Sequence, residues 1–219
     1  MQYEVYKDRV DAGRKLAAAL EQFRGPDALV LGVPRGGVLV GAEVARALDA
    51  PLDVVIARKI GAPHQPELAI GAVVSGDHIR VLDEAAIRYL QVPPEYIEAE
   101  TARQLEEIRR RVEYYRSGRP NPDLRGKTVI VVDDGIATGY TIRAALLGLR
   151  RLEPARLVVA VPVAPASTTA DLGALADDVV CLQTPEPFRA VGVWYDNFEQ
   201  NSDEEVVALL SERFRSRAV

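Results

Sequence analysis

The stretch T-V-I-V-V-D-D-G-I-A-T-G-Y-T, from Thr128 to Thr141, decides the fold. Val129 to Val132 are four consecutive β-branched residues, a run that suits a strand buried on both faces. Asp133 and Asp134 close that strand at its C-terminal end, the edge where open α/β sheets bind ligands. The small and hydroxylated residues that follow, Ala137, Thr138, Gly139, Tyr140 and Thr141, suit a loop that turns directly into a helix. Its backbone N–H groups and two hydroxyls can hold a phosphate. Adjacent carboxylates ahead of a phosphate loop point to a phosphorylated sugar, with the acids accepting hydrogen bonds from vicinal ribose hydroxyls and the loop holding the 5′-phosphate. The plain alternative is a buried strand followed by an acidic helix cap.

Toward the N-terminus, Ala28 to Val33 is a second short apolar run. Pro34-Arg35-Gly36-Gly37-Val38 follows, and then a helical pattern to about Leu48. Gly36 and Gly37 let the backbone approach a ligand closely, and Arg35 supplies a mobile positive charge. A further strand, Leu52 to Ala57, ends in Arg58-Lys59. These cations stand beside Arg35 if the two strands are neighbours, a cluster suited to a pyrophosphate group. From Ile60 to Gly76 the chain reads I-G-A-P-H-Q-P-E-L-A-I-G-A-V-V-S-G, rich in Gly and Pro and long for a connection, so a flexible lid loop is expected. His64 and Glu67 are its titratable residues. His64 is either a proton shuttle or an exposed loop histidine without a role.

The remaining chain alternates in the same way. Val10, Leu16, Ala17, Leu20 and Phe23 recur at helical spacing from about Asp8 to Phe23. Ile79 to Leu82 reads as a strand and Asp83 to Leu90 as a short helix. A long helix runs from Pro93-Pro94 to about Tyr115, with Glu95 and Glu98 early and Arg109 to Arg111 late, as the helix dipole favours. After Thr141 come a helix to about Leu152, a strand from Arg156 to Val163, a helix from Thr168 to Ala176 and a strand from Asp178 to Leu182. The expected fold is α/β, a mostly parallel twisted sheet with helices on both faces. Residues 1–183 form the core, with a helical insert at about 83–117, and residues 184–219 form a small C-terminal hood and last helix. A dinucleotide-binding reading is discounted because Gly32-Val33-Pro34-Arg35-Gly36-Gly37 does not give G-x-G-x-x-G.

With 219 residues, 48% of them hydrophobic, and a net charge of −5, the chain can bury a sizeable core without a charged surface suited to nucleic acid. Arg109-Arg110-Arg111 is a local exception, and three successive helical arginines point in different directions, as on a solvated face. The single cysteine, Cys181, cannot pair internally and points to a reducing compartment. The N-terminus lacks an apolar leader core and no eighteen apolar residues run together, so a cytoplasmic protein without membrane contact is expected. The segment from Thr184 to Glu199 holds the only tryptophan, Trp194, together with Phe188, Tyr195 and Phe198. It fits a lid that stacks on a planar ring, or else a hydrophobic plug that packs the last helix onto the core.

The strand followed by D-D-G-I-A-T-G-Y-T resembles the phosphoribosyl pyrophosphate (PRPP) motif of the type I phosphoribosyltransferases. The resemblance implies a Rossmann-like core and transfer of a 5-phosphoribosyl group from PRPP to a nitrogen acceptor, a nucleobase, with release of pyrophosphate. It implies a PRPP site made of Arg35, Gly36, Gly37, Arg58, Lys59, Asp133, Asp134, Ala137, Thr138, Gly139, Tyr140 and Thr141. Arg35, Lys59, Asp133 and Asp134 are the catalytic candidates, and Mg²⁺ is expected on Asp133 and Asp134, directly or through water. The hood resembles the purine branch in Phe188, Val191-Gly192 and Asp196, so Phe188, Trp194, Tyr195 and Asp196 are the acceptor-binding candidates. Two departures separate this chain from the hypoxanthine–guanine enzymes: Ala137 stands where they carry an acid, and Val161-Pro162-Val163 where they carry a lysine. The acceptor base therefore stays open. A non-catalytic PRPP-binding regulator is the alternative function, and a homodimer is the assembly considered.

Overall fold

The computed structural model describes residues 3–76 and 79–215. In chain order its elements are α1 (Arg9–Ala19), β1 (Ala28–Gly32), α2 (Gly36–Leu48), β2 (Leu52–Val54), β3 (Ala57–Ala62), β4 (Gln65–Val74), β5 (Ile79–Leu82) and α3 (Glu84–Tyr89), followed by α4 (Pro94–Arg116), β6 (Thr128–Val132), α5 (Tyr140–Arg150), β7 (Arg156–Val163), α6 (Ala166–Gly173), β8 (Asp178–Gln183) and α7 (Asp203–Arg215). Five strands form a parallel sheet in the order β2-β1-β6-β7-β8.

The β-branched runs are buried on both faces, and alternate residues feed opposite layers. Val30 of β1, Ile130 and Val132 of β6 and Val158 of β7 join the core with Leu16, Val40, Val44, Ile108 and Leu210, under α1, α2, α4 and α7. Leu29, Leu31, Val129, Val131, Leu157 and Val159 pack instead with Ile142, Ala145, Leu146 and Leu172, under α5 and α6. Burial on both sides is what a parallel sheet requires of such sequences.

The segment from Ile60 to Gly76, expected as a loop, is an antiparallel hairpin. β3 pairs with β4 from Ala57↔Val74 to Ala62↔Gln65, and β4 pairs with β5. Ile60, Ile70 and Val73 bury against Ile97 and Ile108 of α4, while Val74 packs on the other face with Ala145 and Leu146 of α5. The glycines that read as loop residues serve strand contacts. Gly61 lies at a register shift where a Cβ would stand 2.6 Å from the Pro66 carbonyl oxygen, and a Cβ on Gly71 would stand 2.6 Å from that of Val81. Between β3 and β4 the turn is Pro63-His64, with His64 at φ 61°.

The tail is held at both ends. The N-terminal arm runs beside it: the Tyr6 N–H donates to the Trp194 carbonyl at 2.9 Å and the Asp196 N–H to the Tyr6 carbonyl at 2.8 Å. The Tyr6 hydroxyl donates to the Pro162 carbonyl at 2.9 Å. Beyond it, Ser202 and Glu205 form a capping box at the start of α7, with reciprocal bonds of 2.9 and 3.2 Å. Arg109, Arg110 and Arg111 pair with Glu106 and Glu107 along exposed α4. Among the described residues, no helix is long and apolar enough to cross a membrane. Burial pushes the half-buried Cys181 thiol up to about 11.

Candidate active site

From β1 the chain crosses through α2 to β2 on one side, while β6 pairs with β1 on the other. The strand order therefore reverses between β1 and β6, and the crevice beyond the carboxyl ends of such strands is where open α/β sheets take ligands. Two chain segments face each other there. The turn Pro34 to Gly37, which contains a cis peptide between Pro34 and Arg35, leads into α2. Across from it stand Asp133 and Asp134. A Cβ on Gly37 would lie 2.6 Å from the Val132 carbonyl oxygen and 2.8 Å from the Asp133 Cα, and one on Gly36 would lie 1.9 Å from Asp134 Oδ2. Gly37 is therefore demanded by the backbone at the end of the acids' own strand, and Gly36 faces the Asp134 carboxylate, reasons the sequence does not reveal.

The acids sit in an unfavourable environment for charge. Burial, and then the neighbouring Asp134 charge, push Asp133 well above the usual carboxylate range, against a 2.9 Å hydrogen bond from the Asp134 N–H to its Oδ1. Burial also raises Asp134, although Arg9 opposes the shift: its Nε lies 2.7 Å from Asp134 Oδ2, with the two side chains 10% and 15% exposed. Perturbed carboxylates in a crevice are a mark of functional sites. The described residues include no group of three or more His, Cys, Asp or Glu side chains that could hold an ion by themselves. Mg²⁺ that arrives with substrate phosphates asks for only one or two carboxylates, and Asp133 and Asp134 fit that demand.

After the acids, Ile136 anchors the loop through its N–H to the Val163 carbonyl at 3.0 Å, and Thr168 Oγ1 donates to the Ala137 carbonyl at 3.0 Å. Gly139 precedes α5 with φ 74°, and no side chain caps that helix end. Ala137, Thr138, Tyr140 and Thr141 are exposed or half-buried, Tyr140 being 69% exposed. An uncapped helix start behind an open loop leaves N–H groups facing outward, the arrangement that receives a phosphate.

Arg35 is half-buried at the α2 N-cap, beside the acids' turn. Arg58 stands on a different element. The parallel strand ends at Val54, so Arg58 and Lys59 fall on β3 in the second sheet, and Arg58 Nε donates to Gln104 of α4. Lys59 is exposed on the alternate face of β3. His64 is exposed in the hairpin turn, and the Glu67 side chain lies outside the described residues. In the hood, Tyr195 is not open to stacking. It is 6% exposed, its ring centroid lies 5.4 Å from that of Tyr6 and 5.0 Å from that of Phe198, and its hydroxyl donates to the Asp134 carbonyl. Trp194 is half-buried edge-on to Tyr3 at 5.7 Å, and its indole N–H has no hydrogen-bond partner among the described residues. Phe188 is half-buried and Asp196 exposed. Above the acids' loop stands Val191, close enough that a Cβ on Gly135 would lie 2.4 Å from its Cγ1.

Arg9 is the residue that the sequence did not disclose. It begins α1, where a cation opposes the helix dipole, and that mismatch was the one hint available.

A glycine turn and an acid pair thus meet at the switch point of a Rossmann-like sheet, one loop ahead of an uncapped helix start. The chain belongs to the phosphoribosyl transferase domain family, whose model matches residues 2–197. Two curated relatives from Mycobacterium tuberculosis, MT0597 and Rv0571c, both named as provisional phosphoribosyl transferases, are each 46% identical over 215 residues, 98% of this chain. The chain spans about half the length of these relatives, 48%. The crystal structure of TT1426 from Thermus thermophilus is 46% identical with a TM-score of 0.86, covering 95% of this chain and 98% of that one. AQ2163 from Aquifex aeolicus shares the fold alone, at 12% identity and a TM-score of 0.50, covering 84% of this chain and 78% of that one.

Proposed function

We propose that this chain transfers the 5-phosphoribosyl group of PRPP to a nitrogen acceptor, a nucleobase, with release of pyrophosphate. The observation that carries the reading is the contact of the Gly36-Gly37 turn with Asp133 and Asp134 at the switch point, one loop away from the uncapped start of α5. In this reading the acids accept the ribose hydroxyls and the loop from Ala137 to Thr141 holds the 5′-phosphate. Arg35, at the turn, faces the pyrophosphate. Breaking the bond at C1 of the ribose puts negative charge on the departing pyrophosphate, and a fixed cation there lowers the barrier. Mg²⁺ bound with PRPP would add to that charge stabilisation. Asp133 and Asp134 would hold it, directly or through water. Arg58, which donates to Gln104 of α4, and Lys59 stay candidates for the leaving-group cluster from β3.

A second reading, a PRPP-binding regulator without an acceptor, is favoured by the burial of Tyr195 in the core. Two measurements separate the possibilities. PRPP with Mg²⁺ is expected to raise the thermal midpoint of the parent and not that of Asp133→Ala/Asp134→Ala, because a ligand of the native state stabilises by mass action. An unchanged parent midpoint at millimolar PRPP would sink the PRPP assignment. Pyrophosphate release is then followed across a panel of purine and pyrimidine bases. Release with one of them establishes the transferase, and binding without release with any base leaves the regulator.

A further inference from the structure

We propose that Arg9 is a positioning residue of the PRPP site, holding one oxygen of Asp134 so that the other is turned to the ribose hydroxyls. The inference rests on the reading of Asp134 as a ribose acceptor given above. Its evidence is the set of contacts around one guanidinium. Arg9 Nε donates to Asp134 Oδ2 at 2.7 Å, Nη1 donates to the Glu199 carbonyl at 2.9 Å, and the guanidinium carbon stands 4.0 Å from the centre of the Phe198 ring. The start of α1 is thus tied to residues 125 and 190 positions away. The Gly36 turn closes the fourth side, since a Cβ there would lie 2.7 Å from Arg9 Nε as well as against the Asp134 carboxylate. The Tyr195 hydroxyl meanwhile holds the backbone carbonyl of Asp134. Both the main chain and the side chain of this acid are therefore held by a hydrogen bond.

Stability alone is a poor explanation for the pair. A buried ion pair loses about as much in desolvation as it gains in attraction, and an apolar pair of like shape often does as well. The ion pairs of Arg109, Arg110 and Arg111 with Glu106 and Glu107 join residues three or four apart on one helix and tie no second segment to it. Arg9 differs in standing at the switch point, against the acid that the sugar would meet, with both its hydrogen-bonding nitrogens directed by other segments. A bidirectional anchor of this kind selects one orientation of a carboxylate, which a ligand can then use without ordering it.

The test compares three ligands in the presence of Mg²⁺: PRPP, ribose 5-phosphate and inorganic pyrophosphate. In Arg9→Met the dissociation constants for PRPP and ribose 5-phosphate are expected to rise together, on the order of ten- to a hundredfold, the scale of a lost charge-assisted contact. Pyrophosphate, which has no ribose, should bind as in the parent. Arg9→Lys keeps the charge but cannot reach Asp134 and Glu199 at once, and its ribose 5-phosphate affinity should fall between the two. Equal losses for all three ligands, or no loss for any while the parent binds PRPP, overturn the role of Arg9. Should Arg9→Met fail to fold, Arg9→Met/Asp134→Asn is compared with Asp134→Asn. A residue that acts only through Asp134 adds no further loss for ribose 5-phosphate in that background, and an added loss overturns the proposal. A parent that does not bind PRPP at all would instead sink the underlying PRPP reading.

Discussion

The turn after β1 and the loop after β6 face each other across the same crevice, yet they are built in opposite ways. The turn is closed: Gly36 and Gly37 are glycine because atoms of Asp134, Asp133 and Val132 occupy the space a side chain would need. The loop is open: at Gly139 the backbone turns through φ 74° before α5, and its neighbours Thr138 and Thr141 face solvent. A closed turn fixes where two carboxylates stand, and an open loop leaves N–H groups for a ligand. Glycine spacing alone would have assigned both segments the same role. Their neighbours show that one frames the acids and the other stays open.

The largest effects should come from the closed side. Gly37→Ala sets a methyl group 2.6 Å from the Val132 carbonyl oxygen, a backbone atom of a central strand that cannot give way. An overpacking loss of about 3 kcal/mol is expected, read from urea unfolding. Gly36→Ala meets instead the carboxylate of Asp134 and the tip of Arg9, which can rotate aside. Its unfolding free energy should drop by only about 1 kcal/mol, on the scale of a mild overpacking, while PRPP affinity falls on the order of a hundredfold. If the two variants lost stability equally and bound PRPP equally, the frame would not be aimed at the acids.

Asp133→Asn sharpens the same point through charge. Burial raises the folded-state pKa of Asp133, so between the ordinary carboxylate value of about 3.9 and that raised value the folded chain holds a proton that the unfolded chain has released. Stability therefore falls as pH rises through this window. The amide variant escapes the penalty and should show the higher urea midpoint at neutral pH, with the gap closing below about pH 4, where folded and unfolded acids are both protonated. It should also lose its response to PRPP. A lower midpoint at neutral pH would mean that the buried acid supports the fold.

The parallel core was legible because its signals are local. Val129 to Val132 must be buried on both sides, and Asp133 and Asp134 must then follow at a strand end, whatever the rest of the chain does. The hairpin from Ala57 to Val74 was not legible, because Gly61, Pro66 and Gly71 are breakers by propensity and strand residues by tertiary contact. The strand placement of Arg58 was missed with it: β2 ends at Val54, and after two residues of crossing Arg58 falls on β3 of the other sheet. The site itself was half visible. Its acids and loop lie together in the sequence, but Arg9 and Tyr195 reach Asp134 from 125 and 61 positions away, and no spacing rule connects them. The aromatic tail allowed two readings, a stacking lid or a plug. Tyr195 fits the plug through its contacts with Tyr6 and Phe198, while Phe188 and Trp194 stay candidates for the acceptor.

The smallest effect is expected on the open side, where Gly139→Ala separates two causes that coincide at one residue. The positive φ strains any residue with a Cβ by about 1 kcal/mol. That Cβ would also stand 2.9 Å from Thr168 Cγ2, so a steric cost is present as well. Thr168→Ser removes the methyl group and keeps the hydroxyl that donates to the Ala137 carbonyl, so it relieves the contact without releasing the loop. If handedness is the reason for the glycine, Gly139→Ala in the Thr168→Ser background should still cost about 1 kcal/mol in urea unfolding. Full recovery in the double variant would instead make Gly139 a packing glycine like Gly37, and the contrast between the two sides of the crevice would disappear.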